Sequence, residues 1–248
     1  MQPSNIILLS GEQALQKSLD VIANNVANAS TVGFKRENIS FNTILSQVPN
    51  NTKPLQLIGN GATYRDTSNG AITKTGNDLD LAISGKGYFE VQRADGTTAY
   101  TRAGSFQLDN QGQLVTHSGE PVLSQSGQPI LVPSTTSQIN ISGDGSVSGR
   151  VDNGNALAQL GQIAVVKFDN EQGLQPVGNG AYTTNQAAQP STDGSIVQGA
   201  VEQSNVNPIA EMTSMIEVSR SYQQIINLIS SERDRSQQAV ERLSKTTI

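Results

Sequence analysis

The side chains that ordinarily carry catalysis are few in this chain, and their spacing does not gather them. The single histidine, His117, stands in VTHSGEP beside a turn signal. One imidazole has no second to relay a proton to, and a turn histidine is ordinarily just solvated. Cysteine is absent, which removes thiolate nucleophiles, disulfides and Cys-ligated metals together. Asp78 and Asp80 in NDLDLAI have the spacing of a carboxylate pair, which acid–base or calcium chemistry would use. They alternate with Leu79 and Leu81, however, and that alternation predicts the polar face of a strand. GNGATY at 59–64 lacks the third glycine of a dinucleotide loop, and GDGSVSG at 143–149 is spaced as a hairpin turn. The expectation is a protein that is not an enzyme and has no catalytic, cofactor-binding or metal site.

The chemistry that the spacing does offer is hydrogen bonding by amides within a helix. The stretch DVIANNVANASTVGFKRE, 20–37, places Asn24, Asn25 and Asn28 among apolar residues at helical spacing, with no charged side chain from Val21 to Phe34. A buried amide is costly unless its donors and acceptors are met, and a met one restricts register. A polar residue at a helix interface can therefore fix geometry at some expense in stability. These asparagines are expected to make contacts between packed helices. The alternative is that they are helix-end formers, which Ser30, Thr31 and Gly33 support for Asn28.

The elements that must position these amides follow from periodicity. Leu8, Leu15, Leu19, Ile22, Val26 and Ala29 recur at sevens, fours and threes, which predicts a helix over 5–29. They occupy an arc of roughly 80° on a helical wheel, the narrow seam of a coiled coil rather than the broad stripe of a globular helix. Gly33, followed by Phe34, supplies the exit turn. Near the other end Ser204, Asn205 and Val206 lead to Asn207 as N-cap and Pro208 in the first helical turn. From there to about Lys245 no Gly or Pro interrupts. Met215, Val218, Tyr222, Ile225 and Ile229 step by threes and fours, and Ile209, Met212, Ile216 and Ile226 form a second flank. Between about Leu79 and Thr184 short alternating runs (LDLAI, YFEV, AYTR, SFQLD, QLVT, PILV, QINIS, GQIAVVKF) are separated by X-Gly turn signals at Gly96, Gly112, Gly119, Gly127, Gly145 and Gly173.

The fold class expected is thus α+β: terminal coiled-coil-type helices that pair with each other and with neighbouring subunits, around a central all-β domain of short strands. The boundaries are 1–45 for the amino-terminal helix and exit loop, 46–74 for a connector, 75–200 for the β domain and 201–248 for the carboxy-terminal helix. Hydrophobic content of 35% and 4% aromatics argue against one large core. A net charge of −5 without a basic run argues against a nucleic-acid partner. No apolar run approaches the ~20 residues of a membrane span. MQPSNIILLSGEQ has no basic n-region, so export by a cleaved signal is not expected. The amino-terminal helix is too sparsely charged for a surface helix, and one carboxy-terminal helix cannot cover it, so further chains are expected around it.

Four motifs carry a resemblance to a known family. ANNVANASTVGFKRE (23–37) resembles the amino-terminal signature of bacterial flagellar axial proteins. TGNDLDLAISGKGYFEV (75–91) and YTRAGSFQLDNQGQLVT (100–116) look like its successive β segments, and VEQSNVNPIAEMTSMIEVSRSY (201–222) resembles its carboxy-terminal signature. They stand in the family's order from end to end of the chain. The resemblance implies a structural subunit of the flagellar basal-body rod, exported by the flagellar type III apparatus and assembling through its terminal helices with other rod proteins around an export channel, in the periplasmic space. The short interval from Phe34 to Leu79 resembles the proximal-rod type more than the distal-rod type. A reading of another class is a secreted β-rich binding or hydrolytic module, but the chain has no Trp to form a carbohydrate platform.

Overall fold

The computed structural model describes residues 3–46, 55–151 and 157–245. It is α+β, with a helix near each end of the chain and short antiparallel strands between them. The chain divides into two compact units. Unit 1 comprises Met1–Ala27, Glu37–Asp66 and Asn207–Ile248, and unit 2 comprises Asn28–Arg36 and Thr67–Val206.

Unit 1 holds helix α1 (Pro3–Ala27), strands β1 (Glu37–Ser40), β2 (Thr43–Ser46), β3 (Leu55–Ile58) and β4 (Ala62–Arg65), and helix α2 (Pro208–Lys245). β1 pairs with β4 and β2 with β3. α2 begins as its sequence demands. Asn207 Oδ1 accepts the amides of Ile209 and Ala210 at 3.1 and 3.2 Å, satisfying two donors that the first helical turn leaves open. α1 ends at Ala27, two residues before the expected limit. There the amide and the hydroxyl of Thr31 both donate back to Asn28, at 3.1 and 3.2 Å, and close a turn that competes with another helical step. Ala29 therefore lies in the exit turn and not on the helical seam.

Unit 2 holds β5 (Ile72–Lys74), β6 (Leu81–Ser84), β7 (Tyr88–Gln92), β8 (Thr98–Thr101), β9 (Phe106–Leu108), β10 (Leu114–Thr116), β11 (Thr136–Ile141), β12 (Ser146–Val151), β13 (Leu157–Gln162), β14 (Val165–Lys167), β15 (Gln175–Gly178), β16 (Ala181–Thr183), β17 (Gln189–Pro190), β18 (Ser195–Gln198) and β19 (Ala200–Glu202). The largest sheet has the order β15-β16-β8-β7-β14-β17, and β11-β12-β13 form a second. β18 pairs with β6, β19 with β5 and β10 with β9. The inner strands β7 and β8 of the six-stranded sheet are largely buried, with side chains entering a core on either face, whereas β15 and β17 are largely exposed. Phe89 and Val91 of β7 enter one core with Leu81, Ile83, Phe106 and Val147. Tyr88 of the same strand enters another with Tyr100, Val166, Phe168 and Tyr182. Phe89 meets Phe106 edge-on at 5.2 Å, and Tyr100 meets Phe168 at 4.7 Å, the arrangement aromatic quadrupoles favour.

Several local expectations are corrected. Asp80 is buried rather than on a polar strand face. It precedes β6, forms a bridge with Ser105 and accepts that residue's hydroxyl at 3.1 Å, while Asp78 is exposed. PILV forms isolated bridges in place of a strand, Pro129 with Leu123 and Leu131 with Gln113. Gly173 ends a short 3-10 helix, Glu171–Gly173, whereas the other five glycines of the expected turns have positive φ. The segment read as an aperiodic connector contains β3, β4 and β5, and residues 47–54 of it lie outside the described residues. These strands are three or four residues long, too short for alternation to be legible.

Candidate functional site

The expected amino-terminal seam is real in spacing but is not the line that the helix buries. Leu8, Leu15, Leu19, Ile22 and Val26 are all half-buried. The buried line is the neighbouring one, Gly11, Ala14, Val21 and Asn25. A Cβ on Gly11 would stand 3.1 Å from Ile225 Cδ1, so small residues let α2 approach closely here. On α2, Met215, Val218, Tyr222, Ile225 and Ile229 are half-buried along one face, with Ile226 beside them. Ile209, Met212 and Ile216 are exposed at 74%, 46% and 54%. Unit 1 therefore leaves two apolar lines incompletely covered: the Leu15 to Val26 line of α1 and the Ile209 to Ile216 line of α2.

The three asparagines separate cleanly. Asn25 is buried, and its amide brackets the peptide of residue 37. Nδ2 donates to Glu37 O at 2.8 Å, and the Glu37 amide donates to Oδ1 at 2.9 Å. The side chain thereby imitates a strand partner for the first residue of β1. Nδ2 also lies 3.3 Å from Glu211 Oε2, in the first turn of α2, where a carboxylate favours the helix amino terminus. Asn25 thus ties three segments of its own unit, among them both helices. Asn24 is exposed, with a long contact of 3.5 Å to Glu37 Oε2. Asn28 is the helix-end former described above.

The exit residues and the carboxy-terminal signature meet in unit 2. Gly33 has φ +70 and donates its amide to Glu202 O at 2.8 Å. A Cβ there would fall 2.5 Å from the backbone of Arg102 and Ala103, so no other residue fits. Phe34 is half-buried, and its carbonyl accepts the Asn205 amide at 3.4 Å. Asn205 Oδ1 accepts the Arg36 amide at 2.6 Å, and Nδ2 donates to Ser68 O at 3.0 Å. Ser204 accepts the amide of buried Val206 at 3.2 Å.

Beneath these lie three buried charges that the sequence does not single out. Lys35 Nζ is 2.6 Å from Glu202 Oε1 and donates to Ser68 O at 2.8 Å. Arg102 Nε is 3.0 Å from Glu202 Oε2. The two guanidinium ends of Arg102 donate at 2.7 Å to Gly87 O, Gly85 O and Asn69 Oδ1. Burial pushes the Lys35 ammonium below its ordinary value, opposed by its hydrogen bond to Glu202. Nearby, burial and then the charge of Glu171 push up the Tyr88 phenol, which donates to Glu171 Oε2 at 3.1 Å. In GFKRE and in VEQ these charges read as ordinary solvated residues. Only the 167-residue separation, closed in three dimensions, reveals the pair. His117 is exposed in a turn, and among the described residues no group of three or more His, Asp or Glu side chains is placed to hold a metal ion. Among those residues, too, no helix is long and apolar enough to cross a membrane.

Three family models match successive parts of the chain. Residues 7–35 match the family described as flagella basal body rod protein, residues 82–149 the flagellar hook protein FlgE/F/G D1 domain, and residues 197–242 the flagellar basal body rod FlgEFG protein C-terminal family. The flagellar basal-body rod protein FlgF of Caulobacter vibrioides is 37% identical over 242 residues, 96% of each chain. The flagellar basal-body rod protein FlgG of Buchnera aphidicola is 38% identical over 245 residues, 90% of this chain and 93% of that one. FlgG of the same Caulobacter is 36% identical over 244 residues, 89% of this chain and 92% of that one.

Proposed function

The chain belongs to the flagellar basal-body rod protein family and is a subunit of that rod; from this premise we propose that it is a proximal-rod subunit of the FlgF type. Coverage, not identity, supports the finer reading. Against two proteins of one bacterium, an alignment of 242 residues takes in 96% of this chain for FlgF, and one of 244 residues takes in 89% for FlgG. FlgG thus carries more residues without a counterpart here, as a distal-rod type with an added segment would. Deletion of the gene, followed by imaging of the basal bodies, checks this: a rod truncated within its proximal part is expected, and a complete proximal part that lacks its distal part would assign the chain to the distal type instead.

The observation that carries the assembly mechanism is the pair of incompletely covered apolar lines on α1 and α2. Asn207 caps the amino terminus of α2, yet Ile209, Met212 and Ile216 are exposed and Leu15, Leu19, Ile22 and Val26 of α1 are only half covered. Such helices gain their stability from packing against partners. In this reading they form coiled-coil-type contacts with neighbouring subunits, giving a layer that encloses the export channel and transmits torque in the periplasmic space. Ser204 to Asn207, Gly33 and Phe34 hold the chain turns that feed the layer. Residues 1–45 and 201–248 are its assembly regions, and 75–200 the β domain. Partners are other rod proteins and, during export, the flagellar type III apparatus. No catalytic role is assigned to any residue. Ile22→Asp or Ile216→Asp is expected to abolish incorporation into basal bodies while unit 2 stays folded; normal incorporation of both variants would remove these lines from the interface.

A further inference from the structure

The chain crosses between the two units four times, after Ala27, Arg36, Asp66 and Val206. On the unit-2 side, the segments next to all of these crossings converge on the buried charges Lys35, Glu202 and Arg102. From the first segment, Gly33 donates to Glu202 O and Lys35 pairs with the Glu202 carboxylate. From the second, Ser68 O accepts Lys35 Nζ, and the Gly70 amide donates to Glu202 Oε1 at 2.9 Å. From the last, Asn205 binds both the Arg36 amide and Ser68 O. Arg102 then links Glu202 to the turn between β6 and β7 through Gly85 O and Gly87 O. Arg102 itself directly follows β8.

The chemistry of this junction differs from the rest of unit 2. Thr67, Ser68 and Asn69 are exposed and polar, so apolar burial does little to hold their segment. Hydrophobic contact is also non-directional and permits sliding. Charge-assisted hydrogen bonds are short and directional, and inside a protein they resist displacement along the chain. Buried ion pairs add little net stability over apolar packing, and register is their better-attested use.

We propose that Lys35, Glu202 and Arg102 form a staple that locks the crossing segments in one register and delivers force arriving along the chain directly onto β6, β7 and β8. The mechanical purpose rests on the rod reading; the locking of register does not. Lys35→Met keeps the Glu202–Arg102 pair and so retains the fold. Amide exchange on the purified full-length variant is expected to show Gly33, Arg36, Gly70 and Asn205 exchanging together at least about tenfold faster, while Phe89, Val91 and Tyr100 are unchanged. Faster exchange at residues 33–36 alone, or equal loosening of the β7 and β8 amides, would overturn the staple. Arg102→Lys keeps the charge but loses the planar fork, and it supplies the second arm. The chain has no native cysteine, so handles placed at Ser30 and Asn207 allow single-molecule pulling. A lower rupture force than the parent's in both variants is expected, and unchanged force in both would remove the force-carrying role even if the register result stands.

Discussion

Unit 1 and unit 2 solve the burial problem in opposite ways. Unit 2 buries Leu81, Phe89, Val91, Ala99, Val122 and Val147 fully, together with the charges Lys35, Glu202 and Arg102, and its exposed large apolar residues Ile72, Leu108, Leu131 and Leu157 stand in four separate segments. Unit 1 buries Ala14, Val21, Asn25 and Glu211 but leaves Ile7, Leu9, Ile44, Leu45, Ile209, Met212 and Ile216 exposed. A chain that buries its apolar surface alone is stable alone; one that exposes it in contiguous lines is shaped for partners. The β unit is accordingly expected to fold as a monomer, and the helical unit to be completed only by neighbours in the assembly.

The largest expected break in that contrast is in unit 2. Glu202→Gln leaves Lys35 and Arg102 facing each other without a counter-charge, and denaturant unfolding is expected to show a loss of about 3–5 kcal/mol. The same measurement on Asn25→Ala is expected to show a smaller effect confined to unit 1. The Glu37 amide and carbonyl lose their partner there, at about 1–3 kcal/mol, and amide exchange of Phe89 and Val91 in the unit-2 core is unchanged. Asn207→Ala removes the α2 cap and is expected to cost about 1 kcal/mol, read as lost helical circular dichroism.

The smallest effect comes from exposed turn carboxylates. Hydrogen bonds from Thr97 hold Asp95 below the ordinary carboxylate value, and bonds from Ser146 do the same for Asp144. Their folded values are depressed, so their contribution is present above the unfolded value, about 4, and is lost as pH falls through the folded value. A slight decline in the unit-2 melting temperature below that pH is expected, weaker in Asp95→Asn/Asp144→Asn; an identical decline in that variant would assign the effect to other groups.

What was legible in the sequence follows the range of the interactions. Both helices, the Asn207 cap and five of the turns rest on residues within a few positions of one another, and local pattern finds them. Lys35 and Glu202 are far apart in the chain, and each looks solvated in its own neighbourhood. β1 pairs with β4 and β5 with β19 through backbone groups that any residue carries. Asn25 was identifiable as an unusual buried amide, but its acceptor, the peptide of residue 37, has no side-chain signature. The seam was displaced by one line because glycine and alanine, at Gly11 and Ala14, carry no hydrophobic signal strong enough to mark a close helix contact.

The helical unit is expected to depend on neighbours for its order, and the β unit is not. Amide exchange on the dilute full-length monomer, compared with assembled rods, tests it most directly. In the monomer α1 residues 10–27 and α2 are expected to exchange orders of magnitude faster than β7 and β8, and the helices to become protected on assembly. Equal protection of helices and sheet in the dilute monomer would contradict it.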